Sequence, residues 1–459
     1  MDPSVLPSNT WSRFAHYASL VTSILNAKFL WEEQFHLNLA VNRYLVPPVF
    51  PRLKHIRIAI RPPFTLPPIL QGCDLEDVNI LIQSSGSAAA TVTSLGVSAP
   101  SIKSLQLNTD SAVTPEDIST MCQELRCFSK LQSLALVMVV YKSNFPLLLG
   151  ELQNAHCLNN LTLYIMEGAL LNSLHPLSTQ LPELTRLSVA FGRDSAVLDI
   201  LPAAPKLQLL SLIAHTLKDS QLLSSLIDHL PKYKQRSSFH ALQISTITPR
   251  RDRVLPLAET LLNALLQLRQ ITCIRIMPDF RIFATKKFLL ELAKVVPGLK
   301  ELRLPGGGVI GAFIYDGDQQ EDALLQPIPF DTVLKFTQEC VLLEVLQLGF
   351  DARQHSNPQS SFLCPGPAKG LFPHLEPARG SISTPFLQSF SPHCSLQELS
   401  VDDSIIDYPL YIAEVIRKIF PRLSTLKYGN WVLGNEPSES IGLWKEVSKS
   451  LNLSYPFGV

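Results

Sequence analysis

The sequence predicts an α/β repeat fold in which short parallel strands alternate with helices. Three observations predict it: an apolar spacing that recurs along the chain, prolines at a fixed distance before it, and helix start signals between its copies. Composition supports a folded chain, since 46% of the 459 residues are hydrophobic and only 17% are charged. The chain is therefore apolar enough to bury a large core.

The recurring spacing places apolar residues at positions 0, +3 and +5, as in LQLLSL at 207–212. Thirteen copies occur, and ten of the twelve intervals between them fall between 22 and 32 residues, which suits one strand, one helix and short connections. The two longer intervals, of 44 and 53 residues, predict insertions at about 305–330 and 352–395. The copies begin at Leu53, Leu75, Ile102, Leu131, Leu158, Leu184, Leu207, Phe239, Ile271, Leu299, Leu343, Leu396 and Leu423.

Prolines and capping residues punctuate this spacing. Each of six prolines stands two residues before the start of a copy, where it ends the preceding helix and tolerates the entry to a strand. Helix starts are predicted between strands at Thr114, Thr285 and Asp331. Strands and helices are therefore expected to alternate. The six prolines are Pro51, Pro100, Pro182, Pro205, Pro297 and Pro421.

The two faces of each strand have different roles. Side chains at +3 and +5 point to one side and pack on helices, whereas those at +2, +4 and +6 point to the other side. One repeat cannot bury its apolar face alone, but stacked repeats can. The sequence thus predicts a leucine-rich-repeat solenoid (horseshoe) over residues 46–459, with an inner parallel sheet, outer helices and about 13 degenerate repeats. Residues 1–45 are predicted to form a helical lead-in that caps the repeats.

Charge and motifs exclude several function classes. Basic and acidic residues number 39 each, so no net field is available to hold nucleic acid or an anionic membrane surface. Without a signal peptide or an apolar run of about 18 residues, we expect a monomeric protein of the cytoplasm or nucleus. The common phosphate, dinucleotide, zinc and acyl-transfer motifs are absent. We therefore expect no enzymatic activity, no cofactor and no metal site.

Three segments have a functional alternative to a plain loop or rim. They are the glycine-rich 304–311 as a phosphate cradle, the cysteines and histidines of 364–394 as a zinc site, and the basic residues of 232–253 as a contact for an acidic partner. In each case the spacing favours the plain interpretation. The zinc alternative comprises Cys364, His374, His393 and Cys394.

Positions +2, +4 and +6 supply the candidate binding residues. Aromatic and apolar side chains flanked by arginines at these positions are typical of residues that dominate protein interfaces. We therefore expect a target protein to bind the concave face of the sheet. The predicted binding residues are Tyr164, Arg186, Leu209, Ile213, Arg275 and Arg303.

A family resemblance rests on the P-x-L-x-x-L-x-L openings and on the N-terminal segment W-x-R-F-x-x-Y-A, which begins at Trp11. These motifs resemble the post-F-box region of the large fungal, basidiomycete-type F-box/leucine-rich-repeat families, over nearly the whole chain. The resemblance implies the substrate-recognition part of a ubiquitin-ligase subunit, which holds a target protein. No F-box is readable before Trp11, so a Skp-type adaptor is expected to bind only where an F-box lies upstream. The alternative is a free-standing ligand-sensing or enzymatic repeat domain with a pocket under the insertion at 352–395.

Overall fold

The structure is a computed structural model, and the chain in it divides into two compact units. Unit 1 comprises Met1–Leu222 and Lys232–Phe239, and unit 2 comprises Leu223–Pro231 and His240–Val459. The structure describes residues 8–28, 49–60, 70, 72–82, 88–112, 114–139, 148, 150, 152, 155–165, 181–191, 204–214, 239–246, 263, 265–276, 284–304, 328–352, 390–393, 395–401, 404, 406–428 and 439–453.

The described part of unit 1 contains eight parallel strands, each beside the next in chain order. The strands are β1 (Ser23–Lys28), β2 (His55–Ile60), β3 (Asp77–Ile82), β4 (Ser104–Ala112), β5 (Ser133–Val139), β6 (Asn160–Ile165), β7 (Arg186–Phe191) and β8 (Leu209–Ala214). The helices are α1 (Ser8–Ala18), α2 (Ala88–Ser98) and α3 (Pro115–Leu125).

The described part of unit 2 contains six further parallel strands, again in chain order. The strands are β9 (Ala241–Thr246), β10 (Cys273–Ile276), β11 (Glu301–Arg303), β12 (Val345–Gln347), β13 (Glu398–Ser400) and β14 (Thr425–Lys427). The helices are α4 (Lys286–Val295), α5 (Phe330–Glu339), α6 (Pro409–Ile419) and α7 (Glu439–Ser450). Within the described part of the chain, no helix is long and apolar enough to cross a membrane.

The burial of alternate side chains follows the predicted phase. Strands β2 to β14 correspond to the thirteen predicted copies, and in each of them the +3 side chain is buried, from Ile56 in β2 to Leu426 in β14. Leu187 and Leu210, for example, are both 0% exposed. Parallel strands in chain order, helices between them and one buried strand face confirm the α/β leucine-rich-repeat fold that the sequence predicts.

A hydrogen-bonded turn precedes most of these strands. The N–H of position 0 donates to the carbonyl three residues earlier, as from Leu207 to Ala204 (3.2 Å) and from Leu299 to Val296 (3.2 Å). Pro205 and Pro297 occupy the second position of these turns, which suits proline because its ring presets φ near the required value. The prolines found in the sequence therefore start a turn into the strand, and Pro100, Pro297 and Pro421 also follow the ends of α2, α4 and α6.

A second set of backbone hydrogen bonds fixes the register of most strands on their predecessors. The N–H groups at +1 and +2 both donate to the +1 carbonyl of the preceding strand, as Gln208 and Leu209 do to Thr185 at 2.8 and 3.0 Å. The same pair of bonds recurs in unit 2, where Lys300 and Glu301 donate to Thr272 at 2.8 and 3.0 Å. Positions +1 and +2 of these repeats are therefore hydrogen-bonded to the preceding repeat at the point in the chain where the strand pairing starts.

Two of the three predicted helix starts are confirmed, and one is wrong in position. Thr114 precedes α3 and accepts a hydrogen bond from the Asp117 N–H, and Thr285 precedes α4 and accepts one from Phe288, both at 3.1 Å. Asp331 does not cap α5, because that helix already begins at Phe330. Its carboxylate lies in the first turn instead, where the helix dipole favours an anion.

Strand β1 lies within the predicted lead-in and was not predicted as a strand. It pairs with β2 through Ile24 and Ile56 and then through Ala27 and Ile58, so β1 carries one extra residue between these pairs. Counted without this bulge, position +5 falls on Asn26, and the apolar spacing is lost. The predicted boundary of the lead-in at residue 45 stays a prediction.

Candidate protein-interaction surface

The +2, +4 and +6 positions of the strands lie opposite the buried +3 and +5 positions, and this side of each unit is called the open face below. All six predicted binding residues occupy open-face positions of described strands. They divide between the units, and each group is described within its own unit. Tyr164, Arg186, Leu209 and Ile213 belong to unit 1, and Arg275 and Arg303 belong to unit 2.

In unit 1 the strand register brings the four predicted residues onto three adjacent strands. Arg186 on β7 is the register partner of Leu209 on β8. Tyr164, Ala190 and Ile213 form one row across β6, β7 and β8. Ala190 is 0% exposed, and its short side chain stands between two larger ones. The face therefore presents an aromatic side chain and an aliphatic side chain on either side of a small residue, with the Arg186 cation four positions earlier on the middle strand.

Three amide side chains form a closed ring on the open face of β3 and β4. The Asn79 amide donates to Gln106 at 2.9 Å, Gln106 donates to Asn108 at 3.1 Å, and Asn108 donates back to Asn79 at 2.9 Å. Each amide uses one N–H and its carbonyl oxygen within this ring, and a primary amide has a second N–H. Sequence reasoning missed the ring, although amides at +4 of two successive copies were a signal for it.

In unit 2 five charged side chains form a continuous network, called the charge ladder below. Arg275 Nη2 lies 2.7 Å from Glu301 Oε2, and Arg303 Nε lies 2.5 Å from Glu301 Oε1. Arg303 Nη1 lies 2.9 Å from Glu398 Oε1, and Lys427 Nζ lies 2.8 Å from the same oxygen. Cations and carboxylates therefore alternate from β10 to β14.

The strand register explains why this network spans so many strands. Glu301 occupies +2 and Arg303 occupies +4 of β11, so the two side chains point the same way from one strand. The next strand, β12, carries the uncharged Val345 and Gln347 at these positions. Arg303 therefore reaches over β12 to Glu398 on β13. A long side chain with several donors makes this reach possible.

The charge ladder sets the protonation of the groups within it. Burial raises the pKa of the Glu301 carboxyl, but hydrogen bonds from Arg275 and Arg303 outweigh burial and hold that pKa below its usual value. Burial and the Glu301 charge raise the pKa of the Cys273 thiol to about 11. At neutral pH Cys273 is therefore a thiol, and its Sγ lies 3.4 Å from Glu301 Oε2, where it donates to the carboxylate.

The two predicted arginines have hydrogen-bond partners within the chain, and the sequence analysis did not identify these partners. Both Arg275 and Arg303 bind Glu301 of the same chain. Glu398 and Lys427 complete the charge ladder, and neither was predicted as a site residue. The available signal was opposite charge at the two positions, with glutamate at +2 in LKELRL and LQELSV and arginine at +4 in LKELRL. The assignment of the six residues to partner binding stays a prediction.

Several sequence hypotheses fall outside the described residues. These are the glycine-rich loop from residue 305, the basic residues of 232–236 and 250–253, the pocket under 352–395, and the zinc candidates Cys364, His374 and Cys394. Among the residues that the structure describes, no group of three or more His, Cys, Asp or Glu side chains is arranged to hold a metal ion.

His393, the fourth zinc candidate, uses both ring nitrogens within the fold. Its Nδ1 accepts from the Leu396 N–H at 3.2 Å, and its Nε2 lies 3.0 Å from the Cys340 carbonyl oxygen. These contacts assign the proton to Nε2, because a carbonyl can only accept. The ring is 5% exposed and lies edge-on against Phe420, with the ring centroids 6.2 Å apart. In this structure His393 holds the start of a repeat.

Comparisons with known proteins place no family name on the chain. No protein-family model matches it, and no curated protein matches it. Among solved structures, the chain is similar to a chain in the crystal structure of the Rad7 and Elc1 complex in yeast, with 11% sequence identity and a TM-score of 0.34. The similarity covers 94% of this chain and 86% of that chain. The fold assignment therefore rests on the strand register and the burial described above.

Proposed function

We propose that this protein is an interaction scaffold that binds a target protein on the open face of its parallel sheet and performs no chemistry itself. The observation that carries the proposal is that the described strands bury their +3 side chains, whereas the opposite face includes exposed or partly exposed side chains such as Arg186 and Tyr164. Because the strands are parallel and in register, open-face side chains from distant parts of the sequence stand side by side. Side chains from several strands can therefore contribute to one contact surface for a partner.

The residue types on the open face of unit 1 support this proposal. Tyr164 offers a large contact area with a polar tip, and Arg186 can form paired hydrogen bonds with a carboxylate. Leu209 and Ile213 add aliphatic area beside them, and both are partly exposed. Aromatic and arginine side chains are enriched among residues that carry most of the binding energy in protein interfaces.

Within this scaffold role, we propose the finer function of the substrate-recognition region of an F-box ubiquitin-ligase subunit. The sequence resemblance of the repeat openings and of the segment at Trp11 supports it. A Skp-type adaptor would then join the protein only through an F-box upstream of these residues. This role places the protein in the cytoplasm or nucleus as a monomer that recruits a target.

Site-specific photo-crosslinking tests the scaffold proposal. Benzoylphenylalanine is introduced at Thr162, which lies on the open face of β6, and the protein is irradiated in an extract of the source organism. The matched control carries the same group at Val97 of α2, which is 83% exposed. We expect a discrete crosslinked protein from the Thr162 variant and none from the Val97 variant, and we expect Arg186→Glu to weaken the crosslink.

Two outcomes would contradict the scaffold proposal. One is the same crosslinked protein from Thr162 and Val97, which would show that binding does not depend on the open face. The other is no crosslink from Thr162 or from Gln243, an open-face position of unit 2. A small-molecule-dependent change in thermal stability without any protein crosslink would favour the alternative of a ligand-sensing domain.

A further inference from the structure

We propose that the charge ladder of unit 2 binds an acidic segment of a partner protein, and that the carboxylates of this segment pair with Arg275 and Lys427 at the two ends of the ladder. The proposal rests on the proposed scaffold function and names the chemistry of the partner. It also assigns Arg303, which the sequence predicts as a binding residue, to holding the ladder together.

The acceptors of the charge ladder are already in use. Glu301 accepts hydrogen bonds from Arg275, Arg303 and the thiol of Cys273. Glu398 accepts hydrogen bonds from Arg303 and Lys427. Both carboxylates are therefore neutralised within the chain, and they offer little to a cationic partner.

The donors at the two ends of the ladder are only partly used. Arg275 donates to Glu301 through Nη2, and its Nε makes no hydrogen bond among the described residues but is buried and out of reach of a partner. Lys427 donates to Glu398. Guanidinium and ammonium groups carry several N–H donors and no acceptor, so both ends keep donors for a further anion. The interior cation, Arg303, uses Nε and Nη1 for two different carboxylates.

Exposure separates the ends of the ladder from its interior. The side chains of Arg275 and Lys427 are 43% and 38% exposed, whereas those of Glu301 and Glu398 are 11% and 20% exposed. A partner that approaches the open face of unit 2 therefore meets the cations before the carboxylates. Complementary charge at such positions favours encounter with an acidic partner over a basic one.

The magnitude of the charge favours a protein segment over nucleic acid. The ladder contains three cations and two carboxylates, which leaves one net positive charge. Binding to a phosphate backbone depends on neutralising several phosphates, and one net charge cannot supply this. A short peptide segment with a few carboxylates needs fewer cations to balance its charge.

The distance between the ends of the ladder sets the spacing of the partner's carboxylates. Arg275 lies on β10 and Lys427 on β14, so four strand spacings separate them. At about 4.8 Å per spacing the separation is about 19 Å, which an extended segment covers in about six residues. The ladder therefore fits two acidic side chains about six positions apart on a segment that crosses the strands.

Binding of a fluorescein-labelled oligoglutamate peptide, measured by fluorescence anisotropy at low salt, tests the inference. We expect the peptide to bind the full-length protein, and we expect Arg275→Gln and Lys427→Gln each to weaken binding about three- to fivefold. The control is Lys335→Gln, which removes a somewhat more exposed cation, 53% exposed, from α5 on the helical side of the same unit. This control should leave binding unchanged.

Three results would overturn the inference. Unchanged binding in both ladder variants would show that the ladder is not the site. An equal loss in Lys335→Gln would show that net charge alone attracts the peptide. Tighter binding of a uridine oligonucleotide than of the peptide, with the same loss in both ladder variants, would assign the site to nucleic acid. Thermal melts monitor folding, and Lys427→Gln keeps the test valid if Arg275→Gln unfolds.

The experiment also separates this inference from the scaffold proposal. Specific crosslinks from Gln243, on the open face of unit 2, that oligoglutamate does not reduce would contradict the acidic partner and leave the scaffold role in place. Peptide binding that depends on Arg275 and Lys427, without any protein crosslink, would support the anion site and contradict the scaffold role.

Discussion

Arg303 Nη1 lies 2.9 Å from Glu398 Oε1, although 95 positions separate the two residues in the sequence. Both long intervals of the repeat pattern fall between them, one before β12 and one after it. The contact therefore joins repeats that the insertions separate in sequence. Within the charge ladder, Glu301 and Glu398 are the carboxylates that compensate its three cations.

Glu301→Gln is expected to destabilise the protein by about 1 to 3 kcal/mol. The substitution removes the charge that compensates Arg275 and Arg303, while solvent around Arg275, which is 43% exposed, reduces the cost below that of a fully buried pair. Urea unfolding measures the change. Glu344→Gln is the control, because this glutamate is exposed and adjoins β12. Equal midpoints for Glu301→Gln and Glu344→Gln would contradict the prediction.

The stabilisation by Glu301 should depend on pH. Its pKa is lower in the folded protein than in the unfolded chain, where it is about 4.3. The stabilisation is therefore complete above the unfolded pKa and is lost as the pH falls through the folded pKa. We expect the difference in melting temperature between the wild type and Glu301→Gln to be constant above about pH 5 and to shrink below about pH 4. A difference that grows on acidification would show the opposite sign of linkage.

Leu210→Ala should destabilise the protein by about 2 to 5 kcal/mol, because it removes buried area and leaves a cavity. Leu210 is 0% exposed, and Leu187 at the same position of the preceding strand is buried as completely. Ser188 follows Leu187 but lies on the open face, and Ser188→Ala should change stability by less than about 0.5 kcal/mol. Thermal melts of the three variants check the strand phase, and similar losses at Leu210 and Ser188 would refute it.

His393→Ala should destabilise the protein by about 1 to 3 kcal/mol. In most repeats the N–H of position 0 donates to a backbone carbonyl, but the Leu396 N–H donates to the His393 ring. The substitution leaves this N–H without its partner, whereas the carbonyl of Cys340 keeps the hydrogen bond from the Leu343 N–H at 2.9 Å. Chemical denaturation should show a lower free energy of unfolding for His393→Ala than for the wild type. The control, His240→Ala, changes an exposed position and should leave the free energy of unfolding unchanged. Wild-type stability in both variants would show that other groups hold this strand.

The strands could be predicted because alternation of buried and open side chains is a local property of the sequence. Position +3 of each predicted copy is buried, so the phase of β2 to β14 followed from spacing alone. Strand β1 was not predicted because one extra residue after Ile24 shifts the apolar spacing. Such a bulge depends on how two strands pair, which the local sequence pattern does not show. The start of α5 was misplaced because an acidic residue is favourable both as a cap and in the first turn.

The candidate site was less predictable because it depends on contacts between repeats. The sequence places Arg275 and Arg303 on the open face, but their partner Glu301 becomes evident only when neighbouring strands are in register. Arg303 also reaches Glu398 because the side chains of β12, the strand between them, are uncharged. From residue types alone, Arg275 and Arg303 were predicted to bind a partner protein. In the structure both arginines pair with carboxylates of the same chain.

The hydrogen bonds that register each strand have a consequence for how such a chain can change in evolution. They involve only the turn residues and positions 0 to +2, as for Glu398, whose N–H donates to the Glu344 carbonyl at 3.0 Å. The length of chain between two strands does not enter these bonds, and the intervals accordingly range from 22 to 53 residues. Homologous chains are therefore free to gain or lose whole segments between repeats while each strand keeps its pairing. For the same reason, the interval between β12 and β13 is where we expect a reporter domain to be inserted with the least effect on the strand pairing of unit 2.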